Sequence, residues 1–167
     1  LCVEDTTNMT GGTCYPMTVL KEIRAFSNEQ GIPIHLDGAR LWNASVALKV
    51  EPFEIAANAD SVMVCLSKGL AAPAGSVLCG PADFIEKARK WRKLLGGGMR
   101  QSGILAAAGL IGVNTMVERL AEDHDNAKAL AAGLQGTKFR CETPETNIVI
   151  VDVRDTGKDA QMAKLRE

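Results

Sequence analysis

Two apolar runs, each ending at a polar residue, constrain the fold of this chain more than any other feature. Residues 61–66 form one run, and Lys68 follows it in the small-residue setting Ser67-Lys68-Gly69. About thirty residues earlier, a shorter run, 32–36, stops at Asp37. Short apolar runs bounded by turn-forming residues predict buried strands. We therefore expect Asp37 and Lys68 to end two neighbouring strands and to hold one cofactor between them.

Strands and helices are predicted to alternate along the whole chain. Strands are expected at 1–4, 32–36, 61–66, 76–79, 139–141 and 148–153, and helices at 17–29, 41–48, 52–57, 82–95, 101–117, 118–134 and 159–166. This alternation predicts an α/β fold with a mainly parallel sheet, in which ligands bind beyond the carboxyl ends of the strands. The strand at 76–79 follows a short link, so either direction is open to it. A composition shift near Glu118 predicts two domains, 1–118 and 119–167.

Charge and aromatic content argue against two classes of partner. The chain has 19 basic and 20 acidic residues and 4% aromatic residues. A balanced charge gives no electrostatic case for nucleic acid or for an anionic membrane. No apolar run approaches the ~20 residues that span a bilayer, and no histidine, cysteine or aspartate spacing is typical of a metal site.

The cysteines predict a reducing, cytosolic setting. There are five of them, an odd number, and none forms a C-x-x-C pair. Cys65 and Cys79 fall inside apolar runs, which predicts that both are buried free thiols.

The residue types at the two strand ends suit pyridoxal phosphate (PLP). A desolvated lysine amine can hold the cofactor's aldehyde as a Schiff base, and Lys68 can supply it. A carboxylate must face the pyridine nitrogen to keep it protonated, and Asp37 is placed for that role. Small neighbours let the flat ring approach the backbone, which is the role expected of Gly38, Ala39 and Gly69. Ser67 is a candidate ligand of the phosphate.

An amino-acid substrate would need a guanidinium for its carboxylate, because the planar fork matches that group bidentately. Arg100 follows the triple glycine Gly96–Gly98, where the backbone can approach a ligand closely. Arg40 is the second candidate.

Each of these residues also has a plainer interpretation. An isolated aspartate at a strand end is usually a turn or cap residue, and a triple glycine can be only a flexible helix break. The basic residues of 87–93 suit a solvated helix face. His35 lies on the same strand face as Asp37 and is more often a hydrogen-bonded core group than a catalyst. His124, among acidic residues, is expected at the surface.

Three segments together closely resemble the low-specificity L-threonine aldolases. They read HLDGARLWNAS (35–45), SVMVCLSKGLAAPAGSVLCG (61–80) and RKLLGGGMRQSGILAAAG (92–109). The resemblance implies a three-layer αβα fold, the fold type I architecture of the PLP-dependent aminotransferases and β-eliminating lyases. It also implies cleavage of L-threonine or L-allo-threonine to glycine and acetaldehyde, in a homotetramer whose active sites lie at subunit interfaces.

The resemblance assigns roles position by position. Lys68 matches the Schiff-base lysine, and Asp37 matches the aspartate that pairs with the pyridine nitrogen. Ala39 would pack against one ring face, and Arg40 would lie near the ring's phenolic oxygen. Arg100 matches an arginine that binds phosphate or the substrate carboxylate, and Lys93 would reach the same region.

The chain departs from the family pattern in two places. The family usually reads E-N-T-H-N before its paired glycines, whereas this chain reads Glu4-Asp5-Thr6-Thr7-Asn8. The family's N-terminal third and the end of its C-terminal domain have no counterpart here. We therefore expect a fragment with an incomplete site. Rival functions are another PLP reaction, β-elimination or transamination, and a non-catalytic α/β domain that acts only in assembly.

Overall fold

The computed structural model describes residues 1–153. Its helices and strands, in chain order, are β1 (Cys2–Glu4), α1 (Met17–Gln30), β2 (His35–Gly38), α2 (Leu41–Leu48), α3 (Pro52–Ala56), β3 (Ser61–Cys65), β4 (Ser76–Cys79), α4 (Ala82–Leu94), α5 (Gly103–Thr115), α6 (Leu120–Leu134), β5 (Arg140–Cys141) and β6 (Val151–Asp152). The helix predicted at 159–166 lies outside the described residues. The α/β fold with a mainly parallel sheet is confirmed.

The main sheet has four strands in the order β1-β2-β3-β4. The first three strands are parallel, and β4 runs antiparallel to β3, which decides the direction that the sequence left open. Glu4, Asp37 and Met63 are aligned across β1, β2 and β3. The carboxyl ends of these three strands therefore meet at one edge. Strands β5 and β6 form a separate antiparallel pair.

One face of the sheet is packed under helices α1, α2 and α3. Alternate strand residues, among them Leu36 and Val62, form a buried cluster with Leu20 of α1, Ala44 of α2 and Ile55 of α3. Leu36 is 2% exposed and Ile55 is 0% exposed. Because strand side chains alternate between faces, Asp37 lies on the opposite, less covered face.

Strand β2 begins later than the apolar run predicts and continues further. Its range is His35–Gly38, so Asp37 is a strand residue rather than the first residue of a loop. Pro33 has no N–H for a sheet ladder, and the N–H of Ile34 is taken by the Asp60 carboxylate at 2.7 Å. The regular ladder therefore starts at His35.

Helices α5 and α6 are joined by a sharp bend. Within residues 1–153, neither helix alone is long and apolar enough to cross a membrane, and the pair passes that test only across a 73° bend. Met116 and Val117 at the bend pack against the loop that follows β3. The division into domains near Glu118 stays a prediction.

The predicted exposure of His124 and the predicted burial of Cys79 are wrong, and the predicted burial of Cys65 is only partly right. His124 is 4% exposed rather than at the surface, because α6 packs this face of the helix against α2. Cys79 is exposed, since β4 is an edge strand among the described residues, and Cys65 is only half-buried. An apolar run predicts a strand but cannot show which strand will be covered.

Candidate active site

Lys68 lies in a compact loop directly after β3. The N–H of Leu66 donates to the carbonyl of Gly75 at 3.0 Å, and the N–H of Ala72 donates to the carbonyl of Leu66 at 3.0 Å. The carbonyl of Lys68 accepts from Ala71 at 2.9 Å. Backbone hydrogen bonds therefore hold the loop while the Lys68 side chain stays exposed and forms no ion pair within residues 1–153.

Asp37 lies on the neighbouring strand with its carboxylate near the same edge. Its Oδ1 accepts the N–H of Ala39 at 3.0 Å, and the side chain is half-buried. His35, two residues earlier on the same face, places Nδ1 2.8 Å from Oγ of Ser61 on β3. The pairing of His35 with Ser61 agrees with the plainer interpretation of this histidine. The predicted adjacency of the two strands is confirmed, with Asp37 aligned to Met63, upstream of Lys68.

The loop after β1 also reaches this edge, which the sequence reasoning missed. The N–H of Asp5 donates to the carbonyl of Asp37 at 3.0 Å, and Nη1 of Arg40 donates to Oδ1 of Asn8 at 3.3 Å. Parallel adjacency of β1 and β2 was the signal that could have found this contact, since their carboxyl ends must meet. Residues 5–8 therefore belong to the candidate site.

Asp5 is a buried acid with an incomplete set of partners. It is 0% exposed, and its Oδ1 accepts the N–H of Tyr15 at 3.3 Å, whereas Oδ2 has no hydrogen-bond partner. Burial raises the pKa of Asp5 to about 6; the Tyr15 N–H opposes that shift and the charge of Glu145 adds to it. Burial, with the charges of Asp5 and Glu145, likewise raises the pKa of the Cys14 thiol to about 12.

Two glycines expected to leave room for a flat ring are crowded by protein on their Cβ side. A Cβ on Gly38 would stand 2.9 Å from the carbonyl oxygen of Met63, on the core face. A Cβ on Gly69 would stand 2.5 Å from Cδ2 of Leu120. Both glycines therefore allow close packing within the chain on their Cβ side, and their expected role beside a flat ring stays a prediction.

Of the other predicted site residues, some lie near Asp37 or Lys68 and some do not. Ala39 and Arg40 lie at the Asp37 edge, and Ser67 is exposed beside Lys68. Arg100 is exposed between α4 and α5, and Lys93 is exposed on α4. Within residues 1–153, no hydrogen bond or ion pair joins Arg100 to Asp37 or Lys68. A cavity of about 490 Å³ lies between the Gly11 turn and residues 140–152, and neither Asp37 nor Lys68 lines it.

Comparison with known proteins identifies the class. The model of the beta-eliminating lyase family matches residues 1–156. A solved structure assigned as an L-allo-threonine aldolase, from Listeria monocytogenes, superposes with a TM-score of 0.83 at 30% identity, over 90% of this chain and 43% of that one. An aspartate aminotransferase variant from Thermus thermophilus shares the fold alone, with a TM-score of 0.70 at 18% identity, over 92% of this chain and 42% of that one. The fold is that of the PLP-dependent fold type I enzymes.

The chain belongs to the beta-eliminating lyase family. It is 44% identical to low-specificity L-threonine aldolase 1 of Arabidopsis thaliana over 170 aligned residues, which are 100% of this chain and 47% of that protein. The chain thus spans about half the length of the curated relatives it matches.

Among the described residues, no group of histidine, cysteine, aspartate and glutamate side chains is arranged to hold a metal ion.

Proposed function

We propose that this chain carries the lysine and aspartate of a PLP-dependent aldehyde-lyase that cleaves L-threonine or L-allo-threonine to glycine and acetaldehyde. The observation that carries the proposal is the parallel pairing of β2 and β3, which brings the Asp37 and Lys68 strand ends to one edge. Similarity to the threonine aldolase of Arabidopsis thaliana supports the choice of substrate.

The donor set of this edge fits such a cofactor. Within residues 1–153 the Lys68 amine has no carboxylate partner, but it is exposed, so these residues do not supply the desolvation that is expected of a Schiff-base lysine. Asp37 offers a half-buried carboxylate. Asp37 would hold the pyridine nitrogen protonated, and Arg40 and Ala39 would lie beside the ring. When bound, PLP supplies an electron sink for the negative charge left on Cα after the Cα–Cβ bond breaks.

The remaining residues would bind the ends of the cofactor and substrate. Ser67, exposed beside Lys68, would donate its hydroxyl to the phosphate. Arg100 would pair with the substrate carboxylate through its planar fork, and the exposed glycine-rich turn at 96–98 leaves its backbone free to approach. Both roles rest on residue type and on the family pattern.

The decisive experiment replaces Lys68 in the full-length protein. Lys68→Ala should abolish borohydride-reducible attachment of PLP and lower threonine cleavage by ~10³-fold or more, since a covalent catalytic group is removed. Lys21→Ala, at an exposed lysine of α1, is the matched control and should keep wild-type turnover. A Lys68→Ala protein with native turnover would rule the assignment out.

Product analysis separates this reaction from its rivals. Acetaldehyde and glycine in equal amounts support aldol cleavage, and ammonia with a keto acid indicates β-elimination. A keto acid formed without free ammonia, its amino group retained on the cofactor or passed to an acceptor keto acid, indicates transamination. A wild-type protein that stays colourless when PLP is added would favour a domain that acts only in assembly.

The proposed assembly is a homotetramer in a reducing, cytosolic compartment. Helices α4 and α5, together with the residue that follows α4, leave large apolar side chains exposed within the described chain, which is unusual on the surface of a monomer: Trp91, Leu94, Leu95, Ile104, Leu110 and Ile111. The five cysteines are all free, which suits a reducing setting. Sedimentation of the full-length protein at micromolar concentration distinguishes a tetramer from a monomer.

A further inference from the structure

The loop that carries Lys68, residues 66–75, packs against the elbow formed by the end of α5, the bend and the first residue of α6, residues 109–120. Three of its residues, Leu66, Gly69 and Leu70, lie against neighbours in the elbow with no room for an added Cβ between them. A Cβ on Gly109 of α5 would stand 2.8 Å from Cδ1 of Leu66, and a Cβ on Gly112 would stand 2.5 Å from the carbonyl oxygen of Leu70. At Gly112, helix α5 therefore approaches the loop backbone at a distance that only glycine permits, whereas Gly109 faces the movable end of the Leu66 side chain.

Helix α6 contacts the same loop from its first residue. The side chain of Leu120 is 1% exposed and lies against Gly69, the residue directly after Lys68. Leu70, next in the chain, is 2% exposed. Of the two residues that follow Lys68, Leu70 is therefore buried and Gly69 is partly covered by Leu120, while the lysine side chain itself stays exposed.

A buried hydrogen bond ties the elbow to the other half of the candidate site. Nδ2 of Asn43 and Nε2 of His124 are 3.1 Å apart, and the two residues are 2% and 4% exposed. Burial, with the charge of Lys128, lowers the pKa of His124, while Asp123 and Asp125 oppose that shift. Asn43 belongs to α2, which begins directly after Arg40. Helix α6 therefore contacts the Lys68 loop through Leu120, and it contacts α2, the helix that follows Asp37, through His124.

We propose that Gly112 and Leu120 are positioning residues for Lys68: they hold the backbone of Gly69 and Leu70 against α5 and α6, and so set where the amine stands relative to Asp37. The proposal rests on the proposed function of Lys68 as the cofactor-binding lysine. A displacement of about 1 Å in a reacting group can cost ~10²-fold in rate, so a small shift of this loop is measurable.

The first test is Gly112→Ala in the full-length protein, with Gly133→Ala as the matched control. The added methyl group at 112 meets the carbonyl oxygen of Leu70, whereas at 133, on α6, nothing lies within 4 Å. We expect Gly112→Ala to lower kcat by ~10- to 100-fold with little change in KM, and Gly133→Ala to match the wild type. We also expect Gly112→Ala to shift the pH midpoint of the absorbance of lysine-bound PLP.

A second readout does not depend on the cofactor. Hydrogen exchange of the backbone amides of 66–75 in the apoprotein should speed up in Gly112→Ala and stay unchanged in Gly133→Ala. Wild-type kcat, absorbance midpoint and amide exchange in Gly112→Ala would overturn the proposal. A wild-type protein that does not attach PLP through Lys68 would instead overturn the proposed function, so the two failures are distinct.

A compensating pair of substitutions decides the matter if Gly112→Ala fails to fold. Gly69→Ala places a methyl group against Leu120, and Leu120→Ala removes the side chain that it meets. The kcat of the double variant should be at least about tenfold higher than the kcat of Gly69→Ala. Purely additive losses would contradict a direct contact between elbow and loop, and so would overturn the proposal.

Discussion

Helices α1 and α5 are nearly equal in length but contact the rest of the chain in opposite ways. Helix α1 has 14 residues, many of them charged, and buries Leu20 in the core under the sheet. Helix α5 has 13 residues and none of them is charged, yet its buried residues are Gly109 and Gly112. Ile104, Leu110 and Ile111 remain 65–71% exposed.

This difference shows that the more apolar of two helices in this chain is not the one that buries its large apolar side chains. Helix α1 follows the usual amphipathic pattern, in which the apolar stripe faces the core. Helix α5 uses glycines to approach the Lys68 loop and directs large apolar side chains away from residues 1–153. Four experiments test whether burial, rather than apolar character, decides what each region contributes.

The largest effect is expected in the core under the sheet. Ile55→Ala on α3 removes a side chain that is 0% exposed and leaves a cavity, so the free energy of unfolding should fall by about 2–5 kcal/mol. Phe53→Ala, on the same helix but 70% exposed, should change it by less than about 0.5 kcal/mol. Urea unfolding of the full-length protein gives both values. Equal losses in the two variants would mean that Phe53 is covered elsewhere in the full-length protein.

A pH-dependent effect is expected at Asp5, which is buried like the core but carries a carboxyl group. Because its pKa is raised to about 6 from the usual 3.8, the folded state retains its proton more tightly than the unfolded state. Stability from this group is complete below about pH 4 and falls as the pH rises to about 6. Above that pH the ionised carboxyl costs at most about 3 kcal/mol.

Asp5→Asn should therefore stabilise the protein at pH 8 by up to about 3 kcal/mol and have little effect at pH 4. The amide keeps an oxygen for the N–H of Tyr15. Urea unfolding at the two pH values measures the difference. A stabilisation that is the same at both values would show that ionisation is not its source.

The exposed face of α5 should affect assembly rather than the fold of one chain. Burying an isoleucine side chain is worth about 1.5–3 kcal/mol, so Ile111→Lys should raise the subunit dissociation constant by ~10- to 100-fold. Phe26→Lys, at a 54% exposed aromatic of α1, is the matched control and should leave the dissociation constant unchanged. Sedimentation equilibrium measures both. If Ile111→Lys lowers subunit stability but not assembly, a segment of the same chain covers α5.

The smallest effect is expected at the ion pair that joins α1 to the residue directly before β3. Nη1 of Arg24 lies 2.7 Å from Oδ2 of Asp60, and this pair is about one-third exposed on each side. The Arg24 guanidinium lowers the pKa of Asp60, so the contribution is present above the ordinary pKa of an aspartate and lost as the pH falls further. Arg24→Ala should lower the free energy of unfolding slightly at pH 7 and by less at pH 3. A loss that persists unchanged at pH 3 would point to packing of the arginine stem.

Local patterns were enough to predict much of the fold. Helix α2 and strand β4 have the predicted bounds, Leu41–Leu48 and Ser76–Cys79, because apolar spacing and nearby turn residues decide both. The order of β2 and β3 also follows from general rules for parallel sheets. The candidate edge with Asp37 and Lys68 could therefore be placed before the structure was known.

Contacts between distant segments could not be predicted. His124 stands among acidic residues and was expected at the surface, yet its partner Asn43 is 81 positions earlier. Gly38 and Gly69 are expected from the sequence to let a flat ring approach the backbone, and the sequence does not show that they also pack closely against Met63 and Leu120. Asp5 reaches Asp37 only because β1 pairs with β2. None of these neighbours leaves a periodic or short-range signal.

Local residue patterns alone predict the alternation of strands and helices, and they place a carboxylate and an amine near the carboxyl ends of β2 and β3. Those features depend on residues within one or two turns of each other. The tertiary structure decided which faces are covered, which glycines carry close contacts and which acid is buried. Burial depends on side chains brought together from far apart in the chain, so it exists only once the elements have packed.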